Sequence, residues 1–135
     1  MTYALDTNIV SYLLRGDILV TKRWRHERTI GHNFIVPMIV YFEIKRGLIS
    51  SQSFVKLNAF EKLCTTLKIE MLDMHDLNIA CDLYAELKKH GQSKEDADIL
   101  IAAQSISRNL TLVTNNVRHF ANIGEIKIVN WVGNE

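Results

Sequence analysis

The sequence predicts an α/β fold with a central parallel sheet, and three observations carry that prediction. Short apolar runs alternate with segments of helical periodicity along the whole chain. The helical segments are long enough to cross over between parallel neighbours, which a tight turn cannot join. Hydrophobic residues make up 47% and charged residues 23% of the 135 positions, enough for a packed core. The expected architecture is three-layer α/β/α, with helices on both faces and one domain over residues 1–135.

The elements follow in order. Tyr3-Ala4-Leu5 is a short apolar strand ending at Asp6-Thr7-Asn8, three residue types that cap helices, before a helix carrying Ile9, Leu13 and Leu14. A second helix is expected from Asp17 to about Arg28, then a strand at Phe34-Ile35-Val36 and a helix opened by Pro37 and stopped by Gly47. Phe54, Leu57, Phe60, Leu63, Cys64 and Leu67 recur at three- and four-residue steps, marking a helix that leads into a strand from Ile69 to Leu72. Asp73 caps the next helix, whose apolar face holds Leu77, Ala80, Leu83, Tyr84 and Leu87 and which closes at Lys88-Lys89-His90-Gly91. A loop over residues 92–95 precedes a helix from Asp96 to Asn109, a strand from Leu110 to Thr114 and a last strand from Ile126 to Trp131.

Charge and composition exclude several function classes. The 16 Lys+Arg against 15 Asp+Glu leave +1, not the balance of a protein that coats duplex DNA, so any nucleic-acid contact is local. Cys64 and Cys81 form no CxxC and no disulfide framework, and both read as core residues on helices. A carboxylate as early as Asp6 argues against a signal peptide, and no apolar run reaches the roughly 18 residues of a membrane helix. A cytoplasmic protein is the expectation.

Three acids stand in apolar surroundings. Asp6 ends a strand, Glu43 interrupts Met38-Ile39-Val40-Tyr41-Phe42 on a helix, and Asp98 is embedded in Ala97-Asp98-Ile99-Leu100-Ile101-Ala102-Ala103. A lone carboxylate in such a place costs several kcal/mol unless it is neutralised, hydrogen-bonded or metal-bound. Each has an ordinary structural reading as well: Asp6 as a cap, Glu43 paired with Lys45 or Arg46, Asp98 favouring a helix N-terminus. Asp96 cannot share Asp98's direction and reads as the cap of that helix.

Together the acids say more than singly. Asp6 and Thr114-Asn115-Asn116 both fall at the carboxyl ends of strands, where the ligands of open α/β sheets bind, and their strands are candidate neighbours. Glu43 and Asp98 need only come from adjacent helices to complete an oxygen-rich pocket suited to Mg2+ or Mn2+. Two carboxylates about 5 Å apart repel by roughly 3 kcal/mol at an effective dielectric of 20, a repulsion that a cation relieves. Lys22-Arg23-Trp24-Arg25-His26-Glu27-Arg28 fits either phosphate contact or a solvated helix with Trp24 facing inward. His119 either bears on the site or is an ordinary surface histidine, the second being the expected reading.

Leu5-Asp6-Thr7-Asn8, the Glu43 helix ending in Lys45-Arg46-Gly47, Glu95 to Ala103, and Leu110 to Phe120 together resemble PIN-domain proteins, most closely the VapC-like ribonuclease toxins. The likeness covers nearly the whole chain. It implies a PIN-like sheet, a Mg2+-dependent endoribonuclease (Mn2+ as substitute), homodimerisation, and neutralisation by a VapB-like antitoxin that itself binds operator DNA. Structured RNA, often tRNA at the anticodon loop, is the substrate class implied. Carried over by position, Asp6, Glu43 and Asp98 resemble the catalytic, metal-binding carboxylates, with Asp96 accessory. One departure stands out: the family often has an Asp where this chain has Asn116, which offers an amide oxygen without charge. Asn8, Thr114, Arg15, Arg46 and Arg118 are candidate substrate contacts.

Other folds that place an Asp after a strand fit less well. Receivers pair adjacent acids after strand one, and dehalogenase-type phosphatases use Asp-x-Asp, whereas Asp6 is followed by Thr7-Asn8. Two further readings stay open: a PIN-fold partner or co-repressor without strong catalysis, and a general RNA-processing nuclease.

Overall fold

The computed structural model describes residues 1–133. Five parallel strands, β1 (Thr2–Leu5), β2 (Asn33–Pro37), β3 (Lys68–Glu70), β4 (Thr111–Val113) and β5 (Lys127–Val129), form one sheet in the order β3-β2-β1-β4-β5. Six helices connect or flank them: α1 (Thr7–Leu14), α2 (Ile18–Thr29), α3 (Met38–Ser50), α4 (Phe54–Cys64), α5 (Met74–Lys89) and α6 (Asp96–Ser107). The result is the expected three-layer α/β/α arrangement.

Burial on both faces explains why the strands read as continuous apolar runs rather than alternating ones. Ala4, Leu5, Val36, Leu112 and Val113 are buried together with Ile9 and Val10 of α1, Val40 of α3, and Ile101, Ala102 and Ala103 of α6. Trp24 faces inward and meets Phe34 edge-on at 6.4 Å, so the aromatic of the basic α2 segment belongs to the packing.

The strand order fixes where a ligand can bind. From β1 the chain crosses to β2 and β3 on one side; β4 and β5 then add on the other. The order therefore reverses between β1 and β4, and a crevice opens beyond their carboxyl ends. Leu5 is the register partner of Val113, and the Asp6 N–H donates to the Val113 carbonyl at 3.0 Å. Asp6 and Thr114, the residues that follow, are thereby set side by side.

Several boundaries differ from the sequence reading. Gly47 does not stop α3, which continues to Ser50; a helical Gly costs only about 1 kcal/mol against Ala, and Leu48 beyond it packs on the core. β3 covers Lys68–Glu70 rather than residues 69–72, because pairing with β2 ends where Pro37 faces Glu70. β4 and β5 are likewise shorter than their apolar runs. Cys81 is exposed, as are Leu77 and Tyr84, while Cys64 is half-buried against the core. A periodic face locates a helix but does not say that a neighbour covers its whole width.

Candidate active site

Asp6 is 5% exposed, yet each of its oxygens has a donor. It caps α1 through Oδ1, which accepts the Thr7 N–H at 2.8 Å. Oδ2 accepts the Thr114 hydroxyl at 2.7 Å and the Asn8 amide at 3.1 Å. The Asn8 side chain also accepts the Asn115 N–H at 2.8 Å, and Thr114 Oγ1 accepts the Asn116 N–H at 3.0 Å. The β4 turn is thus tied to the β1 turn around one buried carboxylate. These bonds offset the cost of burying it and fix its position.

Glu43 projects from the middle of α3 and accepts the Thr7 hydroxyl at 2.9 Å. It does not interrupt a buried run, since the preceding Phe42 is 55% exposed. Asp98 lies in the first turn of α6, with its Oδ2 3.2 Å from His119 Nδ1 of the 3-10 turn Val117–Phe120. Burial pushes the Asp98 carboxyl above its ordinary pKa; His119 pulls it back, and the charges of Asp6, Glu95 and Glu43 push it up again.

Asp6, Glu43, Asp98 and Glu95 line one cavity of about 320 Å³ with Thr7, Asn8, Asn116 and His119. The three acids singled out in the sequence therefore face a common space at the β1/β4 reversal. Among the described residues no three Asp, Glu, His or Cys side chains close into a tight cage. The donors are nearly all oxygen, four carboxylates and amides with a single imidazole, which fits a hard divalent cation.

Other candidates separate. Asp96 is the first helical residue of α6, not its cap; Glu95 holds the cap position without a capping side-chain bond. Asp96 instead lines an apolar groove with Leu77, Tyr84 and Leu100, directed away from the acidic cavity. Arg46 stacks over Phe42 at 5.0 Å, and neither it nor Arg118 lines the cavity. Arg15 borders an adjacent groove. On α2, Arg23 is committed to Glu27 at 2.9 Å, and Arg28 lies over the Trp24 ring.

Sequence reasoning does not single out Thr7 or Glu95, and it ranks a site role for His119 second. Glu95 had a signal: it stands three residues before Asp98, the spacing that puts two side chains on one side of a helical turn. For His119 the signal is its place in the Leu110 to Phe120 motif, a weak one because an exposed histidine in a polar turn shows no periodicity. A larger cavity of about 580 Å³ opens at the amino ends of the strands, but His32, Lys68 and Arg108 there are paired with Glu27 and Glu70. That cavity reads as a structural ion-pair layer.

The family model described as PIN domain matches residues 3–126. The chain belongs to the PIN domain family. It is 26% identical over 136 residues to Ribonuclease VapC1 of Haemophilus influenzae, covering 97% of this chain and 98% of that one. It is 25% identical over 132 residues to the tRNA(fMet)-specific endonuclease VapC of Shigella flexneri, covering 97% and 98%. Among solved structures, it is similar to VapBC2 from Rickettsia felis bound to a DNA fragment from its promoter, with a TM-score of 0.86 and 27% identity over 97% of this chain and 99% of that one. No helix among the described residues is long and apolar enough to cross a membrane.

Proposed function

We propose that this PIN domain is a divalent-metal-dependent endoribonuclease and the toxin of a toxin-antitoxin pair, with Mg2+ as the physiological ion and Mn2+ as a substitute. The observation that carries the reading is the convergence of Asp6, Glu43 and Asp98 on one cavity at the reversal of strand order. The printed names of the relatives support ribonuclease chemistry, the Shigella flexneri relative's name supports tRNA, and the Rickettsia felis complex supports an antitoxin partner that brings the assembly to promoter DNA. Action in the cytoplasm, where tRNA is found, and homodimerisation belong to the same reading.

Asp6, Glu43 and Asp98 would hold the cation, with Asn116 as a neutral oxygen donor beside them. A divalent ion in such a site supplies charge neutralisation to a phosphate and acidifies a water. The protein's own part is positioning. Thr7 orients two acids at once, its N–H bonded to Asp6 and its hydroxyl to Glu43. Thr114 and Asn8 keep the Asp6 carboxylate, which lines the cavity, from turning. His119 is the one histidine lining the cavity among the described residues, so the pair of imidazoles that would drive transfer to the ribose 2′-oxygen is not assembled. Water attack then leaves a 5′-phosphate and a 3′-hydroxyl.

The test is cleavage of total tRNA by the purified chain with Mg2+, with EDTA, and with Asp98→Asn. Cleavage that needs the metal and the carboxylate, and yields 5′-phosphate ends, supports the reading. Cleavage indifferent to EDTA, or 2′,3′-cyclic phosphate ends, contradicts it; RNA binding without cleavage in any divalent metal favours a co-repressor role.

A further inference from the structure

A second groove shares a wall with the acidic cavity. It has a volume of about 350 Å³, lies between α1, α3 and the start of α4, and contains Thr7 and Glu43 in common with the cavity. Beyond that shared ridge its lining turns cationic and apolar, with Arg15 and Lys56 beside Leu14 and Leu48. Gly47 lines it as well, and a Cβ built there would meet nothing within 4 Å, so the α3 wall is low at this point.

Arg15 and Lys56 share the lack of an ion pair with Lys22, Arg25, Arg46 and Arg118, but they alone of these line the groove, and several other cations are committed elsewhere. Lys45 is engaged with Tyr41 and Glu61, Arg23 with Glu27, Arg108 with Glu70 and Asp76, and Lys94 with the Arg118 carbonyl. Among the described residues Arg15 and Lys56 enter no ion pair; Arg15 rests over the Tyr12 ring at 4.5 Å, which orders the guanidinium without neutralising it. Both are exposed.

Resting on the ribonuclease reading, we infer that this Arg15/Lys56 groove holds the phosphates of the RNA strand next to the scissile bond, the strand crossing the Thr7–Glu43 ridge. Electrostatics requires such a place. Four carboxylates line the cavity, and every nucleotide brings a further negative charge, so a strand with only its scissile phosphate attended would be repelled. Cations one step outside the cavity oppose that repulsion, and Leu14 and Leu48 offer apolar surface for a ribose or base face. The direction of the strand is thereby set toward α1 and α4.

The experiment is fluorescence anisotropy with a labelled 12-nucleotide single-stranded RNA of mixed sequence, in EDTA so that no cleavage intervenes, across a salt series. Arg15→Ala and Lys56→Ala should each weaken binding about 5- to 10-fold at low salt and lower the slope of log K against log salt by about 1, with Arg15→Lys restoring most of the loss. Lys127→Ala, at the amino end of β5 and so at the opposite end of the sheet from the cavity, serves as the comparison and should change affinity less than 2-fold. The inference is overturned if the wild type does not bind the probe, or if Arg15→Ala/Lys56→Ala binds within 2-fold of it. It is equally overturned if the double variant keeps RNA affinity but loses a protein partner, which would make the groove a protein-docking face. Normal Mg2+-dependent cleavage lost in Asp98→Asn, alongside an unaffected double variant, would sink this inference and leave the ribonuclease reading standing.

Discussion

Replacing Glu27 by Gln should destabilise the fold by about 2–3 kcal/mol at pH 7, and the size follows from one buried carboxylate. Glu27 is 5% exposed on α2 and accepts three bonds: from Tyr3 Oη at 2.9 Å, Arg23 Nε at 2.9 Å, and His32 Nδ1 at 2.7 Å. Burial by itself would raise its pKa, but the hydrogen bonds from Arg23, His32 and Tyr3 outweigh it and bring the value from 4.5 down to about 2. At about 1.36 kcal/mol per unit that displacement amounts to about 3 kcal/mol, trimmed because Arg23 is 43% exposed and screened by salt. The sign follows from proton binding. The folded state holds this proton less tightly than the unfolded chain, so the contribution is complete above about pH 4.5 and drains away as pH falls toward 2. Urea unfolding of the wild type and Glu27→Gln at pH 7 and pH 3 measures it: a wide gap at pH 7, roughly 10 °C in a parallel melt, that narrows markedly at pH 3. Equal gaps at both pH values, or one under about 0.5 kcal/mol at pH 7, would show that the network does not stabilise the fold by this mechanism. The consequence reaches the active site, because Tyr3 lies on the strand that ends at Asp6.

Two further outcomes concern the acids themselves. Thr114→Val removes the 2.7 Å bond to Asp6 and the acceptor of the Asn116 N–H, so it should cost about 1–2 kcal/mol in denaturant unfolding and lower cleavage while the far-UV spectrum stays native. Asp98→Asn should raise Tm at pH 8 in EDTA, with the gain shrinking as pH falls to 4. Burial and the surrounding carboxylates raise the Asp98 pKa, so the folded wild type carries a penalty at high pH that protonation relieves. A variant less stable at pH 8, or one whose effect ignores pH, would mean that Asp98 is not crowded by its neighbours.

The sheet, Asp6 and Asp98 are legible because they write themselves as contrasts in an apolar background, whereas the apolar run before Glu43 is partly exposed in the fold. Asp6 closes an apolar strand and Asp98 breaks an apolar helix, so each stood out before any geometry was known. What sequence could not supply was pairing. The end of β3 is decided by where Pro37 stops accepting a neighbour, and the run through Gly47 by packing of Leu48, neither of which is a local property. Direction was the other gap. Asp96 and Asp98 are two residues apart and diverge into different grooves, whereas Glu95 and Asp98, three apart, converge. Thr7 and His119 are placed by tertiary contacts, to Glu43 of α3 and Asp98 of α6, partners that lie 36 and 21 residues away along the chain.

Crystals soaked in Mn2+ and measured at the manganese absorption edge test the central claim most directly. The account predicts an anomalous peak inside the cavity between the ends of β1 and β4, with oxygens of Asp6, Glu43 and Asp98 drawn to about 2.0–2.3 Å from it. A peak on another face, or an ion in the cavity that leaves those three carboxylates where they stand, would contradict it.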